Sequence, residues 1–145
     1  MNENMELMMH VYEASEMGVY STTSLINNLK NRENKIKHVL EMELKEYEKF
    51  LNISEKILIK NKTEPKSSKM IAKMSSSMGI MMETMKDNSD SAIASMLIRG
   101  FTMGVLEMST KIDKYKSVCD RKYLKISKDF KIFQDNEIEK LKSFL

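Results

Sequence analysis

The sequence predicts an all-α fold, an antiparallel four-helix bundle with an additional helical crossover between its two hairpins. Three observations carry that prediction. The 145 residues hold four Gly and one Pro, so little interrupts a helical ladder. Apolar side chains recur at three- and four-residue spacing along most of the chain, the period of an amphipathic helix. The polar clusters around Asn27 to Asn31, Lys62 to Pro65 and Asp87 to Asp90 fall between these periodic stretches, where turns belong.

The first helix is expected over about 5–29, with Met5, Met9, Tyr12, Glu16, Val19, Thr23 and Ile26 facing inward. Asn27, Asn28 and Asn31 end it. The second, about 33–60, carries Ile36, Val39, Leu40, Glu43, Tyr47, Phe50, Leu51, Ile57 and Leu58. Pro65 then breaks the chain, because it lacks a donor and is welcome only in the first turn of a new helix. That third helix, about 66–86, keeps a regular rhythm of Ile71, Met74, Met78, Met81 and Met85. Ser89 or Asp90 supplies a cap for the fourth, about 90–116, whose Ala92, Ile93, Phe101, Met103 and Leu106 make it apolar on most faces and expected at the centre. The last, about 120–144, buries Leu124, Ile126, Phe130, Phe133, Ile138, Leu141 and Leu145. Four helices of this length each span close to ~38 Å at 1.5 Å per residue, and the third can return over the same distance as a crossover.

Composition sets the bounds of function. The length suits a single domain, 1–145, with a core that needs no disulfide. Lys and Arg number 24 against 21 Asp and Glu, in interleaved order, so no nucleic-acid surface is implied. Glu3 and Glu6 stand where a secretory leader would be basic, which points to cytoplasmic residence. The most apolar window, Ala92 to Leu106, holds Arg99 and is short for a bilayer, so no membrane span is expected. Cys119 is the single cysteine; it has no disulfide partner, and a helix N-terminus there would lower its pKa.

Counting from the helix ends puts Glu16, Glu46 with Tyr47, Thr102 with Met103, and Phe133 with Gln134 at one level, the middle of the bundle. At this point the chain resembles the ferritin-like four-helix-bundle superfamily, whose two hairpins and long crossover cover essentially all of it. Members with a di-metal centre place a Glu on the first and third bundle helices and a Glu-x-x-His on the other two. By that resemblance Glu16 takes the first position, Glu43-Leu44-Lys45-Glu46 the second, and Gln134-Asp135-Asn136-Glu137 the last, while Thr102 and Met103 stand where another carboxylate is expected. Both histidines are missing, which disfavours an oxidative di-iron site. The resemblance implies at most a carboxylate-only site for a divalent ion, iron or manganese, from Glu16, Glu43, Glu46 and Glu137. The bland alternative leaves Glu43, Glu46 and Glu137 in water beside lysines and bonds Glu16 to Tyr47 or Thr102.

Methionine allows two further readings. Met5, Met8 and Met9 beside His10 are a sulfur-rich cluster of the kind that suits copper(I). Met74, Met78, Met81, Met82 and Met85 make an adaptable apolar stripe, a surface for a second copy or a protein partner. Glycines at 100 and 104, near Tyr12 and Tyr47, leave room for an apolar ligand in the bundle. The chain carries no Gly-rich phosphate loop, no Cys pair and no nucleophile with a histidine close by in sequence. The expectation is a non-enzymatic bundle, a homo-oligomer or partner-binding protein without a cofactor, against a metal-binding or redox alternative.

Overall fold

The computed structural model describes residues 1–29, 33–66 and 88–145. Within these the chain forms four helices and no strand: α1 Glu3–Asn28, α2 Lys37–Lys60, α3 Asp90–Tyr115 and α4 Arg121–Lys142. The helix expected over 66–86 lies outside the described residues except for Lys66, which is not helical.

The helix ends follow local chemistry. Asn2 caps α1 by accepting the Met5 N–H at 2.9 Å, which brings Glu3 and Glu6 into the first turn and starts the helix earlier than hydropathy alone suggests. α2 begins at Lys37, not Glu33, because the preceding residues are held elsewhere. Asn34 Nδ2 donates to Asp90 Oδ1 at 2.8 Å, and the Lys35 N–H donates to Asp90 Oδ2 at 3.1 Å. α2 ends in a left-handed turn: Lys62 has φ 56°, the Thr63 N–H reaches the Leu58 carbonyl at 2.8 Å, and the Lys62 N–H reaches that of Ile59 at 3.0 Å. This is a Schellman closure, with Lys in the position that glycine usually fills. Ser89 caps α3 by accepting the Ala92 N–H at 3.2 Å.

α1 packs against α2 and α3 against α4, while α1 also meets both helices of the second pair and α2 meets α4. The core runs through Leu7, Met8 and Val11 of α1, Leu40 and Leu58 of α2, Ile93 and Met108 of α3, and Phe130 and Leu141 of α4. Each such side chain contributes about 1.5–3 kcal/mol through its removal from water.

Three expectations about burial are corrected. Beyond Tyr12 the buried face of α1 is Ser15, Gly18, Thr22 and Leu25, one residue out of step with Glu16, Val19, Thr23 and Ile26. Small side chains take this face because Tyr47 of α2 lies directly against Gly18. α3 is not the most enclosed helix either: Met103 and Leu106 are each 65% exposed. The enclosed stretch is instead the start of α1, where Met5, Leu7, Met8, Met9, Val11 and Tyr12 are all buried. At the chain end Leu145 is exposed, whereas it was expected inside.

Candidate functional site

Glu43, Tyr47 and Phe50 stand at i, i+4 and i+7 of α2, and Phe130, Gln134 and Glu137 repeat that spacing on α4, so each helix presents one stripe of mixed character to the other. The rings form an aromatic floor. Tyr47 meets Phe133 edge-on at 5.0 Å, Phe50 meets Phe130 edge-on at 5.1 Å, and Phe101 of α3 lies parallel to Tyr47 at 6.0 Å. One turn away sit the two acids, Glu43 and Glu137, both fully withdrawn from solvent.

Two carboxylates in such a place cannot both ionise without strong cost. Burial is the main cause that pushes Glu43 up, to about 9; the Glu137 charge and a hydrogen bond between the two side chains add to it, and Lys140 opposes it. At neutral pH Glu43 therefore carries a proton and donates it toward Glu137. Glu137 also accepts from Lys140 Nζ, at 3.0 Å through Oε1. Burial and the two acids hold the Tyr47 phenol well above the usual tyrosine range, so it stays protonated.

Beside Glu43 a cavity of about 480 Å³ opens between α1 and α3. Its walls are mostly apolar, with Met17, Met96, Leu97 and Phe101 around Tyr47. Gly18 and Gly104 shape it by close approach: a Cβ at 18 would overlap the Tyr47 ring, and one at 104 would overlap Gln134 Nε2. Gly100 lines the same cavity with open space around it, since a Cβ there meets nothing within 4 Å. Three buried oxygens near it, both of Glu43 and Oε1 of Gln134, have no donor bonded to them beyond the proton that Glu43 shares with Glu137.

No family model, curated protein or solved structure matches this chain. Its site must be judged on its own residues.

Of the four carboxylates singled out from sequence, the structure brings together Glu43 and Glu137. Glu16 accepts the Tyr12 hydroxyl at 2.7 Å, and neither Tyr47 nor Thr102 bonds to it. Glu46 turns outward and pairs with Lys49 at 2.9 Å. Among the described residues no three His, Cys, Asp or Glu side chains converge as a metal ligand set. The donor set around Glu43 and Glu137 thus does not fit the di-metal centre of the ferritin-like resemblance, which needs imidazole and further carboxylates. Thr102 and Met103 are exposed, and the Thr102 hydroxyl donates to the Ile98 carbonyl of its own helix.

The other candidates fall as follows. Met5, Met8 and Met9 are core side chains. His10 lines the cavity mouth, and burial, aided by Lys111, lowers its pKa below the ordinary histidine value. Cys119 is half-buried, and its thiol is pushed up by burial and by Glu3, Asp120 and Glu6, opposite to the lowering expected at a helix start. Tyr12 does not line the cavity, whereas Tyr47, Gly100 and Gly104 do. The stripe of Met74, Met78, Met81, Met82 and Met85 lies outside the described residues. Sequence reasoning missed Glu13, Gly18 and Glu107 at the cavity, and the signal available was the small-residue run of Ser15, Gly18 and Thr22 at helical spacing.

Proposed function

We propose that the chain is a ferritin-like helical-bundle protein that acts by self-association, through the outward face of α3. The two-hairpin arrangement with a crossover draws support from contacts at both ends of the bundle. Met9 of α1 lies by Lys66, just beyond the end of α2, while Gly18 lies by Tyr47 within it, so α1 advances from the far end of α2 back toward its start. Glu6 accepts from Tyr115, and Asn34 reaches Asp90, which gives α3 the same sense as α2. Two successive helices of one sense need a connection that travels the length of the bundle.

The observation that carries the functional reading is the exposure of Met103 and Leu106 on a helix of strongly apolar composition. They border an apolar hollow of about 430 Å³ shared with His10, Thr110 and Lys111, a socket for apolar side chains of a second copy. α3 is also long and apolar enough by length and composition to cross a membrane, and only 22% of its apolar window is buried. Its ties to α1 and α4 and its polar Glu107 and Lys111 favour a protein partner over a bilayer.

Light scattering across a concentration series tests this. A dimer or larger oligomer is expected, and Met103→Lys with Leu106→Lys should return it to the monomer mass. A wild-type monomer at all concentrations, or partition onto lipid vesicles in place of self-association, would overturn the reading.

A second reading, a divalent-metal protein using carboxylates, is favoured by one feature, the adjacency of Glu43 and Glu137 in the core. Near-stoichiometric iron or manganese in the purified protein, lost in Glu43→Gln, would put it first.

A further inference from the structure

We propose that the cavity between α1 and α3 binds a small organic cation, an ammonium group on an apolar body, with Glu43 and Gln134 as its acceptors. The unmet groups there are acceptors. The Glu43 carboxyl and Gln134 Oε1 are buried, line the cavity and lack donors beyond the one shared proton. Buried acceptors without partners cost stability unless something donates to them. A primary ammonium supplies three N–H donors, enough for both.

Charge around the cavity points the same way. Glu13, Glu43 and Glu107 line it, and no Lys or Arg does among the described lining residues. His10 at the mouth is held toward its neutral form by burial and by Lys111, and Lys111 and Lys66 stand near enough to Glu13 to oppose the rise that burial gives its carboxyl. The rings of Tyr47 and Phe101 offer faces that attract a cation, while Met17, Met96 and Leu97 suit an apolar body. A volume of about 480 Å³ lies in the usual range for small-molecule sites. Gly100 leaves the wall open on the α3 side.

Binding is linked to one proton. Free Glu43 is protonated at neutral pH, and the incoming cation replaces that proton as the partner of the carboxylate. The groups facing Glu43 are Glu137 and Lys140 from α4 and Tyr47 from its own helix; the cavity adds Glu13 and His10 from α1 and Glu107 from α3. Affinity should therefore rise as pH climbs from neutral into the alkaline range.

The experiment is isothermal titration of the full chain with 2-phenylethylammonium and n-hexylammonium, and with 2-phenylethanol as the neutral counterpart. One site, proton release at neutral pH and tighter binding at higher pH are expected for the amines alone. Glu43→Gln should abolish it, and so should Gly100→Leu, whose Cβ meets nothing within 4 Å and whose longer side chain enters the open wall. Equal binding of the alcohol would overturn the proposal. So would amine binding that survives Glu43→Gln, the absence of amine binding into the millimolar range, or saturable binding of manganese at Glu43 in place of the amines.

Discussion

Gly18 and Tyr47 are interlocked: the phenol ring of α2 occupies the volume that any side chain at position 18 of α1 would need. This single fit sets the neighbourhood of the site. It keeps Tyr47 upright against Phe133 and Phe101, and it fixes α1 at a height where Glu13, Ala14 and Met17 face the cavity. Room for the cavity on the α1 side comes from the small side chains of Ala14, Gly18, Ser21 and Thr22, set among the larger Glu13 and Met17.

The described glycines are accordingly not equivalent to mutation. At Gly18 an alanine gains about 1 kcal/mol of helix propensity but must displace a ring packed on three neighbours, and overpacking of this kind costs about 1–3 kcal/mol. Gly18→Ala should therefore lower the urea midpoint. At Gly100, where a Cβ meets nothing, the same change should raise stability by up to about 1 kcal/mol. Equilibrium unfolding of the two variants side by side checks the opposite signs.

The helices were legible from sequence because Gly and Pro are rare and the apolar period is long. Their faces were legible only where large residues mark them. On α2, Glu43, Tyr47 and Phe50 follow the heptad of the buried stripe, and the structure places all three as expected, with Tyr47 half-buried. On α1 the buried face is Ser15, Gly18 and Thr22, which carry almost no hydropathy signal, so the larger Glu16 and Val19 drew the stripe one residue off. The acids illustrate the same limit. Glu46 lies three residues from Glu43, about 60° away around the helix, enough to turn one acid into water and the other into the core. On α3, composition counted apolar residues without knowing that Met103 and Leu106 face outward. That Glu43 and Glu137 are buried side by side depends on how α2 and α4 meet, which no local pattern contains.

Asn34 and Asp90 tie the start of α2 to the start of α3. Asn34 Nδ2 donates to Asp90 Oδ1 at 2.8 Å and to the Asn88 carbonyl at 3.2 Å, while the second carboxylate oxygen of Asp90 takes the Lys35 N–H. Hydrogen bonds to a charged group contribute about 1.5–3 kcal/mol when sheltered and less at a partly exposed site such as this one. Asp90→Ala should cost about 1–2 kcal/mol, since it also removes an acid from the first turn of α3. Asn34→Ala should cost less, and the double variant should fall short of the sum. Additive losses in a double-mutant cycle would show that the two side chains act independently.

Glu43 makes the stability of the fold depend on pH in an unusual direction. Its carboxyl is held at about 9 in the folded chain, chiefly by burial and then by Glu137, against an ordinary value near 4.5. Between these values the folded state binds a proton that the unfolded state has lost, so unfolding becomes easier as pH rises. The stabilisation is whole below about pH 4.5, declines by at most about 1.4 kcal/mol per unit above it, and is gone beyond about pH 9. Urea unfolding at intervals from mildly acidic to alkaline pH should thus show a falling midpoint for the natural chain. Glu43→Gln, which keeps the shape and a donor for Glu137 but cannot ionise, should flatten that fall and be the more stable protein at alkaline pH. A slope that persists unchanged in Glu43→Gln would place the responsible proton elsewhere.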